Sequence, residues 1–315
     1  MKIAIVTPAA AGSRTGNRHT AQRWATMLRA AGHKVSVAIE WNAAPVDVLF
    51  ALHARRSHPS VLTYHQACPE GNLVVVLTGT DLYRDIRYDA GAQSSLKLAR
   101  RLVVLQDQGV NELPHKYRAK TRVVYQSAQV KTRAVPPTKT FRVCVLGHLR
   151  EEKDPFRAAL ALKLIPPEES IELVHLGKAM TPVFAAQAKA LTLQDPRYRW
   201  LGGLPHWRAL RWLGRSNLMV ISSRMEGGAN AIAEAVCAGV PVIASAIPGN
   251  VGMLGSGYPG YYPPGDEQAL ARLLSMAMRH QAYYQSLKRG IAARRHLFRP
   301  QSEQASLLRL LREFA

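Results

Sequence analysis

The chain has 315 residues, 47% of them hydrophobic and 20% charged, which excludes a disordered or collagen-like protein and argues for two domains around separate cores. Its net charge of +21 is not gathered in a tail: residues 1–130 carry 17 basic against 8 acidic residues, and residues 141–315 carry 22 against 13. A nucleic-acid binder tends to show a block or stripe of Lys and Arg, so a generally basic surface around an anionic small-molecule site fits better than a nucleic-acid partner.

Taken in chain order, the apolar run at residues 3–6 is too short for a signal peptide. No run of about 18 apolar residues follows it, so a cytoplasmic location is expected, with no stable membrane association. Cys68, Cys144 and Cys237 show no CxxC pairing and no metal-ligand spacing, as in a reducing compartment. Strands are expected at 2–7, 34–39, 47–53, 73–78, 102–105 and 122–125, with helices near 19–31, 90–100 and 106–113. Residues 131–140 are polar, basic and proline-bearing, as a linker would be. The alternation then restarts, with strands at 141–146, 171–176, 218–222 and 240–244, a helix from about Pro155, and mostly helix after Leu273. Strands alternating with helices predict parallel sheets. The expected fold is therefore α/β, two facing Rossmann-like domains with a cleft between them. Residues 1–130 form the acceptor-side domain and 141–315 the donor-binding domain, its last helix a candidate to pack back on the first.

The most informative segment is Glu226-Gly-Gly-Ala-Asn-Ala-Ile-Ala-Glu234. A Gly-rich turn opening a helix offers backbone N–H groups and the positive end of the helix dipole to a phosphate. Gly227 and Gly228 lack Cβ atoms and would let a pyrophosphate or hexose approach closely. Ala229 and Asn230 lead into the helix. Glu226 and Glu234 would accept hydrogen bonds from sugar and ribose hydroxyls, the latter on a helix otherwise almost wholly apolar.

With the Ala-Gly-Val-Pro-Val-Ile-Ala run that follows, this segment resembles the donor signature of family-4 retaining-type glycosyltransferases of the GT-B fold. The resemblance implies that Glu226 contacts the donor hexose and Glu234 the nucleotide ribose. The loop Gly147-His148-Leu-Arg150-Glu-Glu-Lys153 resembles the family's Gly-Arg-Leu…Glu-Lys-Gly loop, whose Arg and Lys neutralise the diphosphate. His148 stands at the usual arginine position and Asp154 at the glycine. Lys153 carries over directly, and Arg150 stands in for the missing arginine. The segment 200–206 is a candidate border for the nucleobase.

Three N-terminal segments complete the set. The loop 7–18 has Gly12, Ser13, Arg14, Gly16, Asn17 and Arg18 before a helix, good equipment for a small oxyanion. His53 and Arg55 follow one expected strand, and Thr80, Asp81 and Arg84 follow another. His53 or Asp81 would act on an acceptor proton, with an ordinary structural histidine as the competing reading of His53. The wording of these segments resembles a narrower family, the selenosugar synthases of bacterial selenoneine biosynthesis. That implies transfer of N-acetylglucosamine or glucose from a UDP-sugar onto selenophosphate. No Asp-x-Asp occurs, so neither a metal nor another cofactor is expected. A family-4 enzyme with a sugar or lipid acceptor, its Trp24-bearing helix touching a membrane, is one alternative, and a non-catalytic basic Rossmann-like module that binds nucleic acid is another.

Overall fold

Uninterrupted apolar runs make strands that are covered on both faces, as parallel sheets require. Val48–Leu52 and Asn72–Leu77 are such runs, and all but Asn72 in them is buried. The computed structural model describes residues 1–10, 12, 16–130 and 135–314 and divides into two units.

The first unit comprises Met1–Ser127, Glu226–Gly228 and the chain from Pro300 onward. Its strands are β1 (Lys2–Val6), β2 (Lys34–Ala38), β3 (Val48–Leu52), β4 (Asn72–Leu77), β5 (Arg101–Val104) and β6 (Thr121–Val123). They pair in parallel in the order β2-β1-β3-β4-β5-β6. Side chains alternate across the sheet with period two. Leu49, Ala51, Leu73 and Val75 join Trp41, Val61 and Tyr64 on one face. Phe50, Leu52, Val74 and Val76 join Trp24, Leu28, Leu307, Leu310 and Leu311 on the other. Each buried aliphatic or aromatic side chain there contributes roughly 1.5–3 kcal/mol.

Trp24 belongs to helix Gly16–Ala30 and is fully buried, so its indole is not part of any surface that the helix could offer to a membrane. Its indole Nε1 donates to Glu303 Oε1 at 2.7 Å. Glu303, on helix Pro300–Arg312, also accepts from Arg23 Nε at 2.8 Å and from the backbone N–H and hydroxyl of Ser127. A buried carboxylate persists only when so compensated. This polar knot, with the three leucines, seats the last helix in the first unit.

The second unit comprises Ala128–Met225 and Ala229–Arg299. It therefore begins three residues before the expected linker, of which residues 131–134 lie outside the described residues. Its strands are β7 (Phe141–Leu146), β8 (Ile171–Leu176), β9 (Tyr198–Trp200), β10 (Leu218–Ile221), β11 (Val242–Ser245) and β12 (Tyr261–Tyr262), all parallel in the order β12-β11-β10-β7-β8-β9. Counted from β7, this is the 3-2-1-4-5-6 arrangement of dinucleotide-binding folds, whose order reverses between the first and fourth strands. Ligands bind beyond the carboxyl ends of the strands at that reversal, here β7 and β10. Among the described residues, no helix is long and apolar enough to cross a membrane.

Several expected elements differ. The helix expected near 106–113 is a short 3-10 turn, Asp107–Val110, capped by Gln106 accepting from Gly109 N–H. The strand expected from residue 240 starts at Val242, after Pro241, which has no N–H to donate. Helix His58–Ala67 was not anticipated, nor were β9 and β12.

Candidate functional site

In the second unit, Gly147 leaves β7 and its N–H donates to Leu176 O at 3.0 Å. Leu149 then pairs with the stretch after β8: its N–H donates to Lys178 O at 3.0 Å, and Met180 N–H donates to Leu149 O at 3.1 Å. His148 Nδ1 accepts the Lys178 N–H at 3.1 Å, which places the proton of its neutral ring on Nε2. A Cβ on Gly177 would lie 1.8 Å from Gly147 O, so this close approach of two backbones requires glycine there.

Glu151–Lys153 forms a 3-10 turn, and Asp154 follows in the left-handed region at φ +43°. That is the conformation glycine would adopt freely, and Asp is among the residues that tolerate it. Asp154 also earns its place by pairing with Arg157 Nε at 2.9 Å. The Ser222 hydroxyl at the end of β10 lies within donating distance of both the Lys153 and Asp154 carbonyls, at 3.1 and 2.8 Å. Arg224 N–H donates to Glu152 O at 2.9 Å. The loop is thus tied to both β8 and β10.

A shallow recess lies at this end of the sheet, lined by Gly147, His148, Lys153, His175, Ser222 and Ser223 among others. His175 is buried, and burial pushes its pKa down to about 4, so it is a neutral ring, with Nδ1 3.1 Å from Tyr198 Oη. Arg150 is half-exposed, its Nε 3.9 Å from Glu152. Lys153 thus borders the recess and Arg150 does not line it.

Helix Asn230–Ala238 starts without a side-chain cap, Ala229 being the extended residue before it, and ends on Gly239 at φ +73°. Glu234, one turn in, has Oε1 2.8 Å from His206 Nε2. His206 opens helix His206–Gly214. Its pKa is raised chiefly by the hydrogen bond to Glu234. The pair's stabilising contribution is therefore full below the ordinary histidine value and fades as pH rises through the raised one. An NMR titration is expected to place the His206 midpoint above 6.5 and to return it toward that value in Glu234→Gln; an unmoved midpoint would refute the pairing.

Glu226, Gly227 and Gly228 group with the first unit, and the space beside the two glycines is taken by the protein's own chain. A Cβ on Gly227 would meet Thr78 O at 2.3 Å, and one on Gly228 would meet Leu105 Cβ at 2.6 Å. They are small because the protein's own chain passes there. Glu226 is buried, and its charge helps burial and Glu112 raise the Tyr83 pKa.

At the carboxyl ends of β3 and β4, His53 adopts φ +79°, and Asp81–Asp85 winds as one π-helical turn. Both are rare backbone states that concentrate at functional sites. Asp81 is 0% exposed. Its Oδ1 accepts the N–H groups of Thr78 and Gly79 at 2.9 and 2.8 Å, and its Oδ2 accepts Ala54 N–H at 2.9 Å. Asp81 therefore staples two loops together, which corrects its expected role as a base. His53 Nδ1 accepts Arg56 N–H at 3.3 Å, leaving the proton on Nε2, 3.1 Å from Thr80 Oγ1. In that tautomer Nε2 donates and takes no proton from an acceptor. Arg55 and Arg84 converge on Asp85, a residue the sequence reading passed over. Gly12 sits at φ +82°, and Gly16, Asn17 and Arg18 form the first turn of helix Gly16–Ala30. Ser13 and Arg14 lie outside the described residues. Among the described residues, no group of three His, Cys, Asp or Glu is placed to hold a metal ion.

Both sheets match glycosyltransferase structures of the GT-B fold. Sucrose-phosphate synthase from Thermosynechococcus elongatus superposes with a TM-score of 0.79 at 17% identity, covering 99% of this chain and 98% of that one. HepE of Anabaena, in complex with UDP and glucose, gives 0.78 at 15% identity over 99% and 100%. A glycosyltransferase from Rickettsia africae gives 0.76 at 16% over 99% and 98%. No curated protein matches the sequence significantly. Residues 127–294, more than half the chain and including both the Gly147–Lys153 loop and Glu234, match the family described as glycosyl transferases group 1. The chain belongs to that family.

Proposed function

We propose that the protein transfers a hexose, N-acetylglucosamine or glucose, from a UDP-sugar to selenophosphate. The observation that carries the acceptor side is the pair of arginines, Arg55 and Arg84, gathered on one buried carboxylate at the ends of β3 and β4. A fully anionic tetrahedral acceptor suits such a site, whereas a neutral alcohol would need a general base, and His53 is held as a donor. On the donor side, support comes from the loop around Lys153 at the β7–β10 reversal, and from the Anabaena relative, whose structures hold UDP, UDP-glucose, or UDP with glucose.

In this reading, a selenium lone pair attacks the anomeric carbon as the C–O bond to UDP breaks. The bonding electrons leave on the diphosphate, where Lys153 and Arg150 offset the developing charge without calling on a metal. Glu226 contacts the hexose and Glu234 the ribose, while Asn230, Gly147 and His148 border the diphosphate. Gly12, Gly16, Asn17 and Arg18, together with Ser13 and Arg14, bind the acceptor. Water later cleaves the P–Se bond and yields the 1-selenosugar and phosphate. A single displacement implies inversion at the anomeric carbon.

Incubation with UDP-N-acetylglucosamine or UDP-glucose and selenophosphate is expected to release UDP and give a selenosugar mass. UDP release with sugar or lipid acceptors only would overturn the selenium assignment. Absence of UDP binding in calorimetry would overturn the donor assignment too.

A further inference from the structure

We infer that Asp85 is the positioning residue of the acceptor site, orienting Arg55 and Arg84 into a clamp for a tetrahedral oxyanion. The inference rests on the reading of an anionic acceptor given above. Asp85 ends the π-helical turn and its side chain is 4% exposed, whereas those of Arg55 and Arg84 are 40% and 46% exposed. The carboxylate is therefore inside and the guanidiniums reach outward from it.

Each arginine uses its Nε edge on Asp85. Arg84 Nε–H donates to Oδ1 at 3.0 Å. Arg55 Nε lies 2.9 Å from Oδ2, but its N–H is off that line, so neither atom gains a hydrogen bond and the contact is an ion pair. Besides the Nε that meets the carboxylate, each guanidinium carries Nη donors, and such a fork suits the oxygens of a phosphate-like group.

Two guanidiniums brought together without a counter-charge would repel. One shared buried carboxylate removes that repulsion and fixes both rotamers, so little side-chain entropy is lost when the anion arrives. Asp81 is a second carboxylate beside the set, but its oxygens are occupied by backbone N–H groups, so what favours an anion is the pair of guanidinium donors that reach outward. His53 Nε2, 3.9 Å from Asp85 Oδ2 and 3.1 Å from Thr80 Oγ1, supplies a further donor on the same side. Asp81 holds the two loops that carry the set.

Inorganic phosphate is the probe, tested as an inhibitor competing with the acceptor. In Asp85→Asn the inhibition constant for phosphate is expected to rise at least ~10-fold, because a neutral amide no longer holds the two cations, while the KM for the UDP-sugar changes less than ~2-fold. Should that variant fail to fold, Arg84→Lys keeps the charge and the buried carboxylate but loses the fork, and the same loss of phosphate inhibition is expected. Unchanged phosphate inhibition in a folded variant, or a UDP-sugar KM that rises in step with it, would overturn the positioning role. Lack of phosphate competition in the wild type would overturn the clamp itself, while calorimetric UDP binding would still uphold the donor site. Phosphate competition without any selenosugar product would leave the clamp standing and remove selenium.

Discussion

Lys153→Ala is expected to lower kcat by ~10²–10³-fold, the usual cost of removing one preorganised group that meets charge developing in a transition state. The lysine closes a 3-10 turn whose carbonyl, with that of Asp154, lies against the Ser222 hydroxyl. Its side chain lines the recess with Gly147 and His148. In the proposed reaction, as the C–O bond to the nucleotide breaks, the terminal phosphate of UDP gains charge that the sugar ester lacked. A cation there therefore stabilises the transition state and UDP more than it stabilises the UDP-sugar. Steady-state kinetics should show the loss mainly in kcat, with calorimetry showing weaker UDP binding, and Lys153→Arg should recover part of both. Arg150→Ala should cost less, since that side chain is half-exposed beside Glu152 and solvent screens it. An unchanged kcat in Lys153→Ala would remove the loop from the chemistry.

The central strands were legible because a parallel sheet buries both faces, so the runs within 47–53 and 73–78 read as apolar with no alternation to decode. Helix His58–Ala67 was not, because its buried residues are only Ser60, Val61 and Tyr64 among exposed or half-exposed His, Thr and Gln. A helix carrying so few apolar positions leaves no period to detect. β9 and β12 span three and two residues, too few for any pattern. Glu303 lies in a segment that reads as an ordinary amphipathic helix, and only the packed fold reveals that Trp24, Arg23 and Ser127 converge on it.

At the site, residue types were legible and their roles less so. An aspartate just past a strand looks the same in sequence whether its oxygens meet a substrate or three backbone N–H groups, as those of Asp81 do. Gly227 and Gly228 likewise read as room for a ligand, although Thr78 and Leu105 fill that room. Asp154 looked like a departure from a glycine position, yet it keeps the left-handed backbone and adds a partner for Arg157. Asp85 went unread because its function depends on two arginines, one of them thirty residues away in sequence.

Gly177→Ala is expected to destabilise the protein by about 3 kcal/mol, at the upper end of ordinary overpacking, and to weaken UDP binding with it. The added Cβ would sit 1.8 Å from Gly147 O, 2.4 Å from Gly147 C and 2.9 Å from His148 N, all backbone atoms that cannot rotate aside. Residue 177 cannot retreat either. Its N–H donates to Gly202 O at 2.8 Å, and its carbonyl accepts from Trp200 Nε1 at 2.9 Å. The strain therefore falls on the loop from Gly147 to Lys153, which would have to leave its bonds to Leu176 and Lys178. Gly257→Ala is the matched control, since its Cβ would meet nothing within 4 Å, and a change within about 0.5 kcal/mol is expected there. Thermal unfolding and calorimetry with UDP on both variants separate the two effects. If Gly177→Ala kept full stability and full UDP affinity, the tight approach of the β7 and β8 ends would not be what sets the loop.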